Sequence, residues 1–283
     1  MPFYKQVLEQ YDKLNVPEKG RGYFSVVATL VLLIVLLILI FPAVKHITKV
    51  SREVSDARKV KAALENKIID LGIYHGIIVP QGWGGRGTEG KLLAVRQARE
   101  KRIPYLGLCF GMQMAVIEFA RNVANLKGAN STEADSQTAH PVIHVMPEQA
   151  EYLAKKQYGG TIRLGSWPAV LKNGSTIKVA YKKYTTDKSS PWLKGKDFQN
   201  KSTIYERHRH RYEFNNEYRE QLEKTGLIIS GLSPDGQLVE SIELSNHPFF
   251  VGTQFHPEYI ARPLTPHPLF LAFISACRHK KTP

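Results

Sequence analysis

The order of apolar and polar residues divides the chain into a long apolar segment near its start and a strand-and-helix region after it. Short apolar runs bounded by glycine or proline are typical of buried strands, and apolar residues three or four positions apart are typical of helices. These patterns predict strands over 76–80, 103–108 and 249–255, and helices over 89–101, 112–125 and 268–278. Strands and helices in this alternating order predict an α/β fold, with a doubly wound, mostly parallel sheet flanked by helices.

Two other stretches show different patterns. Residues 45–70 are rich in charge and contain neither proline nor glycine, so they are predicted to form a charged linker helix. Residues 159–236 contain short strands, turns and polar loops, which predict an antiparallel region or a lid. The predicted parts of the chain are an N-terminal segment (1–21), a transmembrane helix (22–44), the linker helix (45–70) and one domain (71–279).

The transmembrane prediction rests on residues 22–44, which contain no charged residue. About 20 apolar residues are enough for a helix to cross a bilayer, whereas the apolar core of a cleaved signal peptide usually has about 7–15. Six lysines and arginines follow the segment within residues 45–61, and four precede it. Positive charge favours the cytoplasmic side, so the expectation is a single-pass membrane protein whose catalytic domain lies in the cytoplasm.

Composition narrows the range of partners. The net charge of +14 would suit nucleic acid or a lipid surface, but the basic residues are scattered and no nucleic-acid-binding motif is present. Nucleic acid is therefore not expected as a partner. Two cysteines, Cys109 and Cys277, are too few for a disulfide framework, and this indicates a reducing compartment.

The most informative chemistry lies at residues 105–113, where an apolar run ends at Cys109 between Gly107 and Gly111. A strand followed directly by a helix at such a residue is the layout of a nucleophile elbow. The helix N-terminus favours the thiolate, which is the reactive form of cysteine. The alternative is a small buried cysteine packed between strand and helix.

His256 and Glu258 supply the other groups that a thiol nucleophile needs. They follow the predicted strand 249–255, at the position where α/β sheets place reactive groups. Histidine can take the thiol proton and return it to a leaving amine, and a nearby carboxylate can orient the imidazole. Two backbone N–H groups are candidates for stabilising an oxyanion, that of Phe110 after the nucleophile and that of Gly82 in a glycine-rich turn.

Taken together, these motifs resemble those of class I glutamine amidotransferases and, within them, the glutaminase domains of CTP synthases. The matching segments are GLCFGMQ (107–113), AVIEFARNV (115–123), ANSTE (129–133), GGTIRLG (159–165), ERHRHRYE (206–213) and QFHPE (254–258). They occur in order and span about residues 70–278. The triad of cysteine, histidine and glutamate is shared by the whole class, whereas the ANSTE and RHRHRY runs are particular to CTP synthases.

This resemblance implies a role for each site residue. Cys109 would attack the side-chain amide of glutamine to form a glutamyl thioester, with His256 as general base and acid and Glu258 orienting it. Gly82 and Phe110 would supply the oxyanion N–H groups. The implied glutamine-binding residues are Gln113, Glu133 and Arg211. A carboxylate suits the α-ammonium group of glutamine, and an arginine suits its α-carboxylate.

The basic run 207–211 also has other interpretations. It would suit a solvated strand face or a phosphate-binding patch. The resemblance favours the glutamine-binding role for Arg211, while His208 and His210 remain unassigned.

The chain also departs from the family pattern. Gln81 replaces a glycine that usually begins the turn after Pro80, which would strain the turn if a positive φ is required there. A synthetase domain, to which ATP, UTP and magnesium would belong, is not found in the sequence, so no cofactor or metal site is expected in this chain. The expected partners are glutamine, a synthetase domain in trans, a membrane through residues 22–44, and further copies in an oligomer.

Three functions follow from these observations. The first is a CTP-synthase-type glutaminase that provides ammonia for the amination of UTP to CTP. The second is a membrane-tethered binding or scaffold module with a decayed glutaminase site. The third is a hydrolase of γ-glutamyl compounds, since the same triad serves that reaction.

Overall fold

The computed structural model describes residues 70–145, 162–185, 190–193 and 202–280, together with residues 27, 29–31, 46 and 49. Contacts along the chain divide it into two units, Met1–Ile68 and Ile69–Pro283. All strands and helices named below lie in the second unit, which contains every candidate site residue.

Ten strands are described in this unit. In chain order they are β1 (Ile77–Val79), β2 (Tyr105–Leu108), β3 (Asn130–Ser131), β4 (Pro141–Val145), β5 (Arg163–Leu171), β6 (Thr203–His210), β7 (Tyr212–Phe214), β8 (Leu227–Leu232), β9 (Val239–Leu244) and β10 (Phe250–Thr253). The α-helices of the described residues are α1 (Thr88–Glu100), α2 (Phe110–Asn122), α3 (Thr176–Tyr184), α4 (Arg219–Lys224) and α5 (Pro268–His279). Short 3₁₀ turns occur at Leu71–Ile73, Asn216–Tyr218 and Pro257–Tyr259.

The larger sheet has the strand order β1-β2-β10-β9-β8-β5-β6, and a smaller sheet has the order β3-β4-β7. Strands β1, β2 and β10 run parallel, and β9, β8, β5 and β6 continue the large sheet with antiparallel pairings. The antiparallel region predicted within residues 159–236 is therefore present. Because β2 and β10 are parallel neighbours, the residues that follow their carboxyl ends meet at one edge of the sheet.

Helices cover both faces of the large sheet. On one face, α1 and α2 pack their apolar side chains, such as Val95 and Met112, into a core that also contains Tyr105 and Phe250. On the other face, α3 and α5 contribute to a second core with alternate residues of the same strands, including Leu106. Strands buried on both faces are typical of an α/β sheet, and the predicted α/β class is confirmed.

The predicted membrane-spanning helix over 22–44, and the single-pass membrane location derived from it, require correction. No helix among the described residues is long and apolar enough to cross a bilayer. Even α1 and α2, with 13 residues each, extend only about 20 Å, compared with about 30 Å for a hydrocarbon core. Apart from residues 27, 29–31, 46, 49 and 70, the predicted span and the predicted linker helix over 45–70 lie outside the described residues.

Candidate active site

A sharp turn between β2 and α2 holds Cys109. Its backbone has φ +50° and ψ −98°, a conformation that residues other than glycine rarely adopt. The Cys109 N–H donates a hydrogen bond of 2.6 Å to the carbonyl of Thr253, which ties the turn to β10. A Cβ at Gly111 would lie 2.0 Å from the Val79 carbonyl oxygen, and one at Gly107 would lie 2.7 Å from the carbonyl carbon of Gly111. Both glycines are therefore required by close backbone contacts.

His256 follows the end of β10. Its Nδ1 lies 2.6 Å from Oε1 of Glu258, and its ring stacks on Tyr259 with centroids 4.4 Å apart. The His256 N–H also donates to the carbonyl of Arg207 at 2.8 Å, so the residue is held on both sides. Its buried Nε2 has no hydrogen-bond partner among the described residues. A carboxylate at Nδ1 favours a proton on that nitrogen, which leaves Nε2 as an acceptor.

One cavity of about 260 Å³ contains most of the candidate residues. Its lining residues are Gln81, Gly82, Trp83, Cys109, Gln113, Glu133, Arg209, His210, Arg211, Tyr212, His256 and Tyr259. Of the predicted site residues, only Glu258 and Phe110 are absent from this lining. Glu258 contacts His256, and the Phe110 ring packs against Gly82, where an added Cβ would lie 3.4 Å from it. The thiol and the imidazole thus line a common cavity.

The environment of Cys109 keeps its thiol protonated. Burial raises the pKa of the Cys109 thiol far above its usual range, and the carboxylate of Glu258 raises it further. The backbone N–H of Phe110 and the side-chain amide of Gln254 act in the opposite direction. Desolvation therefore outweighs the effect of the helix N-terminus, from which we predicted a thiolate. The site needs a base to remove the proton.

Glu133 and Arg211 place opposite charges on the same cavity wall. Oε1 of Glu133 accepts a hydrogen bond of 2.8 Å from the N–H of Gly84. Burial raises the pKa of Glu133, while the Gly84 N–H and the nearby Arg211 guanidinium oppose this rise. A ligand that carries both an ammonium and a carboxylate group matches this arrangement.

Gln254 contacts the candidate nucleophile but was not singled out from the sequence. Its Nε2 lies 3.6 Å from Sγ of Cys109, and its Oε1 lies 3.4 Å from Nε2 of Gln113. Nε2 of Gln113 also donates to the carbonyl of Tyr212 at 3.0 Å. The available signal was a polar side chain near the end of an apolar strand, two positions before His256.

The glycine-rich turn that carries Gly82 accommodates Gln81 without strain. Gln81 is not among the described residues with positive φ, and the left-handed conformations of this turn occur at Gly84 (φ +73°) and Gly87 (φ +70°). The condition under which Gln81 would strain the turn, a positive φ, is therefore not met, because the left-handed backbone angles fall on glycines.

A buried ionic cluster lies next to the cavity and includes the two histidines that the sequence left unassigned. Nη2 of Arg163 and Nε2 of His208 contact the two carboxylate oxygens of Glu240 at 2.5 and 2.7 Å. Nη1 of Arg163 lies 3.7 Å from Oε1 of Glu213. Burial raises the pKa of Glu213 to about 8. Burial also holds the pKa of His210 well below its usual value, and the neighbouring His208 and Arg163 lower it further.

Most of this chain is similar in sequence to known proteins. The family model described as "Glutamine amidotransferase class-I" matches residues 44–276. The CTP synthase of Caldanaerobacter subterraneus subsp. tengcongensis is 52% identical over 242 residues, covering 84% of this chain and 41% of the relative. The CTP synthase of Carboxydothermus hydrogenoformans is 56% identical over 201 residues, covering 71% and 34%. Among solved structures, the glutaminase domain of Trypanosoma brucei CTPS with bound acivicin has a TM-score of 0.62 and 35% identity, covering 74% of each chain.

These comparisons define what the matched region is. The chain spans only 41% and 34% of the two CTP synthases, and the solved relative is a glutaminase domain alone. The matches give no support to the membrane location predicted from residues 22–44, and that prediction is wrong on this evidence together with the helix lengths above. The chain belongs to the class I glutamine amidotransferases, and its matched region corresponds to the glutaminase part of CTP synthases.

Proposed function

We propose that this chain hydrolyses glutamine to glutamate and ammonia through Cys109, His256 and Glu258. The observation that supports this most strongly is one cavity lined by the Cys109 thiol, the His256 imidazole, and the opposite charges of Glu133 and Arg211. These groups match the carboxamide, the α-ammonium and the α-carboxylate of glutamine. Glutamine hydrolysis is also the activity implied by membership of the family.

The first half of the reaction forms the thioester. Nε2 of His256 takes the proton of Cys109 as Sγ attacks the carboxamide carbon of glutamine. The carbonyl oxygen becomes an oxyanion, which accepts hydrogen bonds from the N–H groups of Gly82 and Phe110. His256 then returns the proton to the nitrogen, the C–N bond breaks, and ammonia leaves a glutamyl thioester on Cys109.

The second half regenerates the thiol. Water attacks the thioester carbon while His256 takes one of its protons, and the C–S bond then breaks to release glutamate. The proton passes from His256 to Sγ, so the site returns to its starting state. Glu258 holds Nδ1 of His256 through both halves and stabilises the imidazolium each time it forms.

Binding of the substrate follows from the charges of the cavity. We assign Glu133 to the α-ammonium group and Arg211 to the α-carboxylate, with Gln113 contacting the same end of the molecule. Hydrogen bonds between charged groups contribute about 1.5–3 kcal/mol each, so the two ionic contacts together select an amino acid over a simple amide.

The proposed acceptor of the ammonia is UTP. Because the chain spans 41% of the C. subterraneus CTP synthase, we propose that its ammonia serves the activity of the remaining part of such enzymes, the ATP-dependent amination of UTP to CTP by a synthetase domain. ATP, UTP and magnesium would bind that domain. No observation in the described residues favours the scaffold function over this one.

The experiment compares glutamate release by the wild type, Cys109→Ala and Cys277→Ser, with and without a CTP synthase synthetase domain, ATP, UTP and magnesium. Cys277 lies on α5 outside the cavity, so its variant is the matched control. We expect Cys109→Ala to release no glutamate and Cys277→Ser to match the wild type, with CTP formed only when both proteins are present. Glutamate release by Cys109→Ala at the wild-type rate would overturn the mechanism.

The same assay tests the substrate class. We expect γ-glutamyl peptides to be hydrolysed far more slowly than glutamine, and we expect acivicin, which the T. brucei relative binds, to label Cys109. Faster hydrolysis of γ-glutamyl peptides than of glutamine would replace the amidotransferase assignment with that of a γ-glutamyl hydrolase.

A further inference from the structure

Two buried glutamine side chains form a continuous chain of hydrogen bonds that ends at the nucleophile. Nε2 of Gln113 lies 3.0 Å from the Tyr212 carbonyl oxygen and 3.4 Å from Oε1 of Gln254. Nε2 of Gln254 then lies 3.6 Å from Sγ of Cys109. Gln254 is fully buried, and Gln113 and Cys109 are only 3% and 4% exposed.

The direction of this chain is fixed by its first member. A backbone carbonyl can only accept, so the Gln113 amide must turn its NH₂ group towards Tyr212. The second N–H of that NH₂ group is then available to Oε1 of Gln254. With its oxygen accepting from Gln113, Gln254 must direct its own NH₂ group at Cys109. The contacts therefore determine both amide orientations, which geometry alone often leaves ambiguous.

The backbone holds Gln254 in the same place. Its N–H donates to the carbonyl of Glu240 at 2.9 Å, and the preceding residue, Thr253, accepts the Cys109 N–H at 2.6 Å. Main chain and side chain at the end of β10 thus both contact the residue that carries the thiol. The main chain at Gln254 is therefore fixed relative to both β9 and Cys109.

We propose that Gln254 is a further catalytic residue of this site, whose side-chain amide donates a hydrogen bond to Sγ of Cys109 and stabilises the thiolate. Gln113 acts as a positioning residue that keeps the Gln254 amide in the donating orientation. For its effect on glutamine turnover this inference rests on the proposed function, but its effect on the thiol does not require turnover.

The buried thiol explains why such a donor is needed. Desolvation and the carboxylate of Glu258 disfavour the thiolate, and the Phe110 N–H is the other donor that opposes them. In the proposed mechanism the Phe110 N–H turns to the oxyanion once the carboxamide carbon is attacked. Gln254 is then the donor that stays with the sulfur while the C–S bond forms and when it breaks.

The test measures the second-order rate constant for alkylation of Cys109 by iodoacetamide between pH 6.5 and 9.5. Mass spectrometry of the two cysteine peptides separates Cys109 from Cys277, which serves as an internal reference. The variants are Gln254→Met, which keeps the length of the side chain but has no side-chain N–H, and Gln254→Asn, whose shorter side-chain amide cannot reach the sulfur. Gln221→Met, on the exposed face of α4, is the matched control.

We expect both Gln254 variants to react about tenfold more slowly at Cys109 at each pH, with Cys277 unchanged and Gln221→Met equal to the wild type. A merely structural role would not shift the pH profile of one thiol in a protein whose thermal unfolding is unchanged. Wild-type alkylation rates at Cys109 in a folded Gln254 variant would overturn the proposal.

A second measurement applies even if the variants fail to fold. In the Cys109→Ala protein the Gln254 side-chain amide loses its acceptor, so its NMR signals are expected to move while those of Gln221 stay in place. Unmoved Gln254 signals would also overturn the proposal. If the wild type did not hydrolyse glutamine but the Gln254 variants were alkylated more slowly at Cys109, the proposed function would be refuted and this inference would stand. If the wild type hydrolysed glutamine but alkylation of Cys109 were unchanged in the Gln254 variants, this inference would be refuted and the proposed function would stand.

Discussion

Gly111, the second residue of α2, provides a sharp test of the turn that holds the nucleophile. In Gly111→Ala the new methyl carbon would lie 2.0 Å from the carbonyl oxygen of Val79, whereas real contacts of this kind stay above 3.0 Å. The start of α2 and the end of β1 must therefore separate by about 1 Å. The obstacle is backbone on both sides, so no flexible side chain can move aside.

The expected effects follow from that displacement. Overpacking of this kind costs about 3 kcal/mol, and alanine recovers about 1 kcal/mol of helix propensity over glycine. The net loss of about 2 kcal/mol corresponds to a fall of about 4–8 °C in the thermal midpoint of a unit of this size. Because Cys109 moves with the start of α2, we also expect glutamate release to fall on the order of 100-fold.

Gly90→Ala is the matched control. Gly90 lies in the first turns of α1, and a Cβ there would meet nothing within 4 Å. The same substitution should therefore raise stability by about 0.5–1 kcal/mol and leave glutamate release unchanged. If calorimetry and the glutamate assay gave the same result for both variants, the close-contact argument at Gly111 would be refuted.

Three other changes test the ionisable groups around the cavity. Burial raises the pKa of Glu213 from 4.5 to about 8. Between these two pH values the folded state retains a proton that the unfolded chain releases. The free energy of unfolding therefore falls as the pH rises through that interval. Glu213→Gln should remove this fall in urea titrations, and an unchanged pH dependence would contradict it. Arg163→Met leaves Glu240 without its guanidinium partner and should lower the free energy of unfolding by about 3–5 kcal/mol in the same titrations. The double variant Arg163→Met with Glu240→Leu should lower it by less. Equal losses in the two variants would count against the ion pair. Glu258→Gln should lower kcat by about 10²–10⁴-fold with little change in thermal midpoint, and a kcat near the wild-type value would remove Glu258 from the mechanism.

Local patterns were sufficient to predict the elements that surround the nucleophile, but not their exact limits. The helix predicted from residue 112 begins at Phe110, because Cys109 itself makes the turn by adopting φ +50°. A positive φ at a residue other than glycine leaves no trace in the hydrophobic pattern. It is imposed by tertiary contacts, here the hydrogen bond to Thr253 and the close approach of Gly111 to β1.

The polar interior was harder to predict than the apolar one. The run 207–211 suggested a basic surface, yet the alternation along β6 places Arg207 and Arg209 outside while His208 and His210 are buried against Glu240 and Glu213. Glu213 on β7 is only three residues from His210, but Glu240 comes from β9 and is separated from His208 by 32 residues. Similarly, the contact between Gln254 and Cys109 depends on β10 pairing with β2, which no local pattern specifies.

The hydrogen bond from Cys109 to Thr253 also has a consequence for biosynthesis. A ribosome makes β2 and its cysteine long before it makes β10, and parallel pairing between distant segments is slow to form. Until β10 arrives, the hydrogen bond to Thr253 cannot hold the unusual backbone of Cys109, and His256 does not yet exist. We expect ribosome-arrested chains that stop before residue 250 to leave Cys109 as reactive as an unfolded thiol, and protected Cys109 in such chains would disprove this. Under the proposed mechanism, nascent chains would therefore release no ammonia until their synthesis has passed the last strand of the sheet.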